Sequence, residues 1–270
     1  MYAYKKRLVF GCCSLSSNKT IKRALKVLKL AESLGLKNFD TAPLYSKGYS
    51  ELLIGEAFKG NKKINVTTKI GAYKVPKTIV PASIALPLNN IKNYFKTHNS
   101  KNRYLLNNIN KLKTDFDYYS LFRKQIKNSK SKLKEVNIDG ILLHEINPFK
   151  VDKEIIKNLR LYLNNENINK FGYAGILHSE IFELQIPNWI KILQLTLPYE
   201  NKKYEEKIFY LLEKYSNIEF RFFNVFSEIE DKKNRMNYAK KILKDFPNTK
   251  IIFQTTSQER LRYNFDFFNS

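Results

Sequence analysis

Eight short apolar runs alternate with stretches of helical periodicity, and this rhythm is what most limits how the 270-residue chain can fold. The strand candidates are Leu8–Cys12, Asn38–Ala42, Asn65–Ile70, Gly140–His144, Phe171–Ile176, Ile190–Leu195, Ile218–Phe223 and Lys250–Thr255. Most are continuously apolar rather than alternating, as expected of strands covered on both faces. Between them the apolar period is 3.6. After Thr20 it falls on Ile21, Ala24, Leu25, Leu28, Ala31 and Leu34, with Gly35 placed to end the helix. Tyr204, Ile208, Leu211, Leu212 and Tyr215 form a second stripe. Ala239, Ile242, Leu243 and Phe246 form a third, closed by Pro247. Strands alternating with helices imply crossover units and a parallel sheet. Eight such units predict a closed (β/α)8 TIM barrel, which typically needs about 250 residues. An open dinucleotide-binding sheet would want a glycine-rich turn after its first strand. Here that turn reads Gly11-Cys12-Cys13-Ser14-Leu15-Ser16, with one glycine, so that fingerprint is absent.

We therefore expect one barrel domain over residues 1–270, with residues 72–116 as a loop inserted between the third strand and third helix. That segment holds Pro76, Pro81 and Pro87 and then a polar Asn/Lys stretch. A connection this long is usually functional or disordered. On a barrel it would lie at the catalytic face and wall the pocket, or form a mobile basic insertion.

The formal net charge of +23 suggests nucleic acid at first sight. The lysines, however, are spread over nearly every helical stretch and form no dense stripe or aromatic-basic motif, so solvated helix faces are the better reading. No apolar run approaches the roughly 18 residues of a membrane span. The segment Met1–Lys6 is too polar to open a signal peptide, and the adjacent Cys12 and Cys13 suit a reducing cytoplasm better than a disulfide framework. No Cys/His spacing suggests a metal site.

The chemistry is concentrated in three fragments. Asp40-Thr41-Ala42-Pro43-Leu44-Tyr45, Thr67-Thr68-Lys69-Ile70-Gly71 and Leu142-Leu143-His144-Glu145 each lie at or just beyond the end of a strand candidate. In a parallel barrel that rim is where catalytic groups are placed. A phenol, an ammonium, an imidazole and a carboxylate gathered there form a proton-transfer set for a carbonyl. A phenol titrating near 10 is a weak acid at pH 7. Lys69 is expected to lower that value for Tyr45, and Asp40 to hold Lys69 charged and oriented. His144 would donate to the carbonyl oxygen or orient it, a contribution worth roughly 10²–10³ in rate. Since the chain has no redox centre of its own, a hydride would have to come from a cofactor.

These fragments, in this order, resemble the aldo-keto reductase superfamily over nearly the whole chain. Asp40, Thr41, Ala42 and Tyr45 match the family's first motif, and Gly48, Glu51, Leu53 and Gly55 its following helix start. Lys69 and His144 match the catalytic lysine and histidine. Asp117-Tyr118-Tyr119-Ser120 is similar to members acting on sugars or sugar-like aldehydes. The resemblance implies a reductase using NADPH, or NADH, to reduce an aldehyde or ketone, sugar-derived in one reading, or to run the reverse. It further implies that Gln194 holds the nicotinamide amide, and that Thr255, Arg260 and Asn264 hold the adenosine phosphate, with Arg260 on the 2′-phosphate. A helix N-terminus with an arginine beside it suits a phosphate on physical grounds as well. The family's Ser-Asn pair after the fifth strand is replaced by Ala174-Gly175, within Gly172-Tyr173-Ala174-Gly175. An aromatic from the seventh strand, Phe222 or Phe223, is expected to stack on the nicotinamide. The chain ends at Ser270, soon after the eighth helix, which leads us to expect an open pocket for a bulky or polar substrate. The expected partner is a small-molecule carbonyl or sugar-like substrate, with the protein a monomer or weak homo-oligomer engaging neither nucleic acid nor membrane. The alternative is a catalytically impaired barrel acting as a binding or scaffold protein.

Overall fold

Parallel hydrogen bonding runs from strand to strand until the eighth pairs with the first, closing a barrel in sequence order. The computed structural model describes residues 4–15, 20–71, 118–175, 185–199, 201–225 and 232–270. The strands are β1 (Leu8–Gly11), β2 (Asn38–Asp40), β3 (Asn65–Ile70), β4 (Asn137–His144), β5 (Lys170–Ala174), β6 (Ile192–Thr196), β7 (Glu219–Phe223) and β8 (Thr249–Phe253). The helices described around them are α1 (Ile21–Ser33), α2 (Ser50–Phe58), α3 (Tyr118–Leu133), α4 (Lys153–Asn165), α5 (Lys202–Lys214), α6 (Lys232–Asp245) and α7 (Gln258–Asn269). The expected (β/α)8 architecture is thus the observed one. The expected insertion at 72–116 lies outside the described residues, as do His98 and His178.

Local chemistry sets the element boundaries. The Thr20 hydroxyl accepts the Arg23 amide at the start of α1. Gly35 ends that helix at φ +87°, where its N–H donates to the Glu32 carbonyl. A side chain rarely adopts that backbone conformation. Asp152, Asn201 and Ser257 cap α4, α5 and α7 in the same way as Thr20. β4 starts three residues before its expected start, because Asn137 and Ile138 pair with β3 and the register then shifts past Asp139. Asn137 donates to Asn65 of β3 at 2.8 Å.

The main apolar core fills the layer between the sheet and its helices. Phe10 lies edge-on to both Phe39 and Phe253, at 6.0 and 6.1 Å between centroids. Inside the barrel a small separate cluster of Leu142, Ala174 and Ile192 forms the middle layer. Alternation along each strand then places His144, Gln194 and Phe223 on the inward face at one end of the barrel, and Lys170, Glu219 and Arg221 on the same face lower down.

Candidate active site

The rim at the carboxyl ends of the strands opens into a cavity of about 790 Å³. Its wall includes Asp40, Tyr45, Lys69 and His144 on one side, and Gln194, Thr255, Arg260 and Asn264 toward the other. All eight residues singled out in the sequence therefore face one space.

Lys69 is the hub of the first group. It is buried on β3, and its Nζ donates to both Asp40 carboxylate oxygens and to the Thr41 carbonyl, each at 2.8 Å. Three protons meet three acceptors, so the ammonium is fully used within the protein. The Thr41 hydroxyl pairs with Ser50 at 2.7 Å, and Ser50 donates on to the Cys12 carbonyl. These bonds pin the turn that carries Tyr45. Behind Lys69, Thr68 donates to the buried Glu51 carboxylate, tying β3 to α2.

Tyr45 and His144 complete the group. Their rings meet edge to face with centroids 6.0 Å apart, and the Lys69 ammonium stands 4.6 Å from the Tyr45 ring centroid. Among the described residues, neither the phenol nor the imidazole is hydrogen-bonded to another side chain. Burial, with the Lys69 charge beside it, holds His144 down at about 3, so the imidazole is neutral in ordinary buffers.

For Tyr45 the expected lowering is not found. The phenol is pushed well above 10, first by burial and then by the Asp40 charge. The physical reason is that Asp40, doubly bonded to Lys69, cancels the field that was expected to favour phenolate. What remains is desolvation, which disfavours the charged form. Tyr45 is therefore a neutral phenol poised to donate a proton. Cys13, on the same wall, is pushed up to about 11, chiefly by burial, so its thiol is not a ready nucleophile.

The second group is marked by unsatisfied atoms. Gln194 Oε1 and Asn264 Oδ1 are buried, line the cavity and have no hydrogen-bond partner among the described residues. A buried acceptor without a donor costs free energy unless a ligand completes it. Ser257 caps α7, and its own amide donates to the Thr255 hydroxyl at 3.1 Å. Arg260, one turn into that helix, is exposed at the cavity edge. The donor and acceptor set fits an extended molecule with an amide at one end and a phosphate at the other.

Three features were not legible in the sequence. The strand register puts Phe223, and not Phe222, on the cavity wall. Glu145, directly after His144, lines the rim. At Gly175 a Cβ would lie 2.6 Å from the Tyr173 hydroxyl, so a side chain there would require the tyrosine to shift. The position of Glu145 one residue past a strand end was the only available hint to its place.

With this geometry in view, the chain belongs to the Aldo/keto reductase family, whose sequence profile matches residues 7–228. A protein of Saccharomyces cerevisiae named as an aryl-alcohol dehydrogenase is 25% identical over 214 residues, 74% of this chain. The chain spans 57% of that relative's length. Among solved structures, an aldo-keto reductase from Bacillus halodurans in its holo form superposes with a TM-score of 0.70 at 15% identity, covering 98% of this chain and 87% of that one. Another from Klebsiella pneumoniae, in complex with NADPH, gives 0.68 at 12% identity, covering 98% and 86%. At these identities the likeness speaks for the fold. Among the described residues no helix is long and apolar enough to cross a membrane.

Proposed function

We propose that the protein is a nicotinamide-dependent carbonyl reductase, working on a polar, sugar-like aldehyde or ketone or in the reverse direction. The observation that carries this reading is a neutral phenol and a neutral imidazole, both without side-chain partners among the described residues, facing one cavity beside a saturated Lys69–Asp40 pair. Two donors with free capacity define a position for one carbonyl oxygen.

In this reading Tyr45 gives its proton to the substrate oxygen. Its high affinity for that proton keeps it loaded at neutral pH, and the same affinity lets the phenolate that forms be reprotonated quickly from solvent. Lys69, its protons taken by Asp40 and Thr41, holds the turn and the Tyr45 ring in place rather than acidifying the phenol. His144 donates to the same oxygen through one ring N–H and fixes its angle. NADPH, when bound, supplies the hydride. Gln194 would hold the amide end of the cofactor, Phe223 its ring face, and Thr255, Arg260 and Asn264 its adenosine-phosphate end. The orphaned acceptors at Gln194 and Asn264 support this fit, since the nicotinamide carboxamide and the adenine amine are both donors.

The second reading, a barrel that binds without turnover, draws on Ala174 and Gly175, which offer no side-chain hydrogen bond where the family pattern has Ser-Asn. One experiment separates them. NADPH oxidation is followed with a panel of aldehydes and ketoses, beside a cofactor titration read from NADPH's own fluorescence, for wild type and Tyr45→Phe. We expect a loss of about 10²–10⁴ in kcat with cofactor affinity close to wild type. Full turnover in the variant removes the assignment of Tyr45, and cofactor binding without turnover of any carbonyl in wild type favours the second reading.

A further inference from the structure

The substrate side of the cavity contains a carboxylate that nothing described so far employs. Glu145 follows His144 at the end of β4 and lines the same wall as Tyr45. Its backbone sits at φ +57°, in the left-handed region that a glutamate rarely occupies. Its amide donates to the Ala174 carbonyl at 2.7 Å, which locks that conformation. The backbone is thus held in a costly shape that keeps the residue at the rim. Among the described residues Glu145 has no ion-pair partner, although the chain carries 48 Lys and Arg against 25 Asp and Glu. Its charge reaches the phenols of both Tyr45 and Tyr173.

The other charges near Tyr45 cancel. Lys69 and Asp40 are bonded to one another, and His144 is neutral. Among the described residues lining the cavity, Glu145 is then the acidic group without an ion-pair partner, beside the place assigned to the carbonyl. Arg260 is the basic one, on the β8 side where the cofactor phosphate is assigned. The cavity is therefore polarised, positive at one end and negative at the other.

We propose that Glu145 sets the charge specificity of the site, so that it takes carbonyl compounds bearing a cationic group, such as an ammonium, ahead of neutral ones and rejects those bearing a carboxylate or phosphate. This rests on the carbonyl-reductase reading. It runs against the protein's overall charge, which would steer anions toward the surface. Glu145 is exposed at the rim, so its pull on a bound cation is partly screened, and proximity within the cavity rather than burial makes the local charge outweigh the distant surface lysines.

The test uses three para-substituted benzaldehydes of similar size: trimethylammonio, isopropyl and carboxylate. For wild type, Glu145→Gln and Glu145→Lys, kcat/KM is measured for each, and calorimetry follows binding of the three matching alcohols to the NADP⁺-loaded protein. Comparing one substrate across variants cancels differences in carbonyl reactivity. The cation-to-anion ratio is expected to fall about 10-fold in Glu145→Gln, and to invert in Glu145→Lys. Glu145→Asn, which suits a left-handed backbone, replaces Glu145→Gln if that variant does not fold. An unchanged ratio in both kcat/KM and binding overturns the proposal, as does failure of all three alcohols to bind. Charge-ordered binding that collapses in Glu145→Gln, with no aldehyde reduced by wild type, upholds Glu145 and overturns the reductase reading instead.

Discussion

The two ends of the barrel interior are both densely polar, yet they are built on opposite principles. At the end remote from the cavity, every charge is answered. Arg221 crosses from β7 to donate to Thr67 of β3 at 2.6 Å, and it binds Glu219 through two nitrogens. Lys170 bridges Asp139 and Glu219, and Lys250 reaches Glu219 at 3.1 Å. Burial raises the Glu219 carboxyl, but Arg221, Lys250 and Lys170 outweigh it and hold it at about 2. At the cavity end, among the described residues, Gln194 Oε1 and Asn264 Oδ1 have no partner, and the Tyr45 hydroxyl and His144 ring bond to no side chain. The difference teaches how to sort polar residues in a barrel. Groups that satisfy one another hold the strands in register, whereas groups left unsatisfied await a ligand.

The sharpest way to break this comparison is to damage the closed end and watch the open one. Arg221→Met removes a guanidinium that is 1% exposed, takes away the Thr67 hydroxyl's partner and leaves Glu219 and Asp139 to Lys170 and Lys250 alone. Breaking a buried ionic network costs roughly 3–5 kcal/mol, and the partial exposure of the two carboxylates points to the lower end. Urea unfolding should show that loss, while kcat at 25 °C stays close to wild type. Wild-type stability would mean that the network does not hold the barrel. Lost turnover without lost stability would erase the division between the ends.

Next in size is Arg260→Ala. If the open end addresses a cofactor phosphate, removing this exposed arginine should weaken NADPH about 10-fold and leave NADH unchanged, as charged hydrogen bonds of this kind contribute about 1.5 kcal/mol when partly solvated. Calorimetric titration of both cofactors measures it. Equal losses for the two would move Arg260 off the 2′-phosphate.

The comparison also shows what a sequence of this kind discloses. The barrel was legible because Leu8–Phe10, Ile141–Leu143, Ile192–Leu193 and Ile251–Phe253 are short apolar runs and because α1 repeats at 3.6 between Thr20 and Gly35. Asp40, Lys69 and His144 were legible because they are polar residues at the carboxyl ends of strands, where a parallel barrel places its chemistry. The network at the closed end was not legible. Lys170 and Glu219 sit at the first position of their strands and read as ordinary boundary charges, and Arg221 reads as an interruption of an aromatic strand. Only the closure of the sheet brings β3, β4, β5, β7 and β8 close enough for these residues to meet. The direction of the Tyr45 shift escaped for a related reason. Whether an ammonium acidifies a phenol depends on whether its charge is already spent, and the two bonds to Asp40 are a fact of geometry.

A smaller effect sharpens the idea of unsatisfied atoms. Gln194→Leu replaces a buried acceptor lacking a donor by an apolar group of similar volume. The cofactor-free protein should be as stable as wild type or slightly more so, because a desolvated oxygen has been removed. Affinity for NADP⁺ should fall about 5-fold, the value of roughly one net hydrogen bond. Stability and binding thus move in opposite directions. A joint loss of both would show that Gln194 serves the closed network's purpose rather than the ligand's.

The smallest expected effect is an absence. An imidazole held at about 3 stays neutral throughout the working range, and a phenol held well above 10 stays protonated. The pair should therefore contribute no inflection to kcat/KM between pH 5 and 8. Stability does register the histidine. In the unfolded chain His144 titrates near 6.5, so between that value and about 3 the unfolded state binds a proton that the folded state refuses. Stability contributed by the neutral ring is then complete above pH 6.5 and declines as the pH falls through that window. Denaturant titrations at pH 7.5, 5.5 and 4 for wild type and His144→Asn should converge at the acid end relative to their difference at pH 7.5. If instead the wild-type rate profile bends near 6.5 and the bend disappears in His144→Asn, the imidazole is being protonated during turnover, and its role at the open end is acid–base exchange rather than fixed donation.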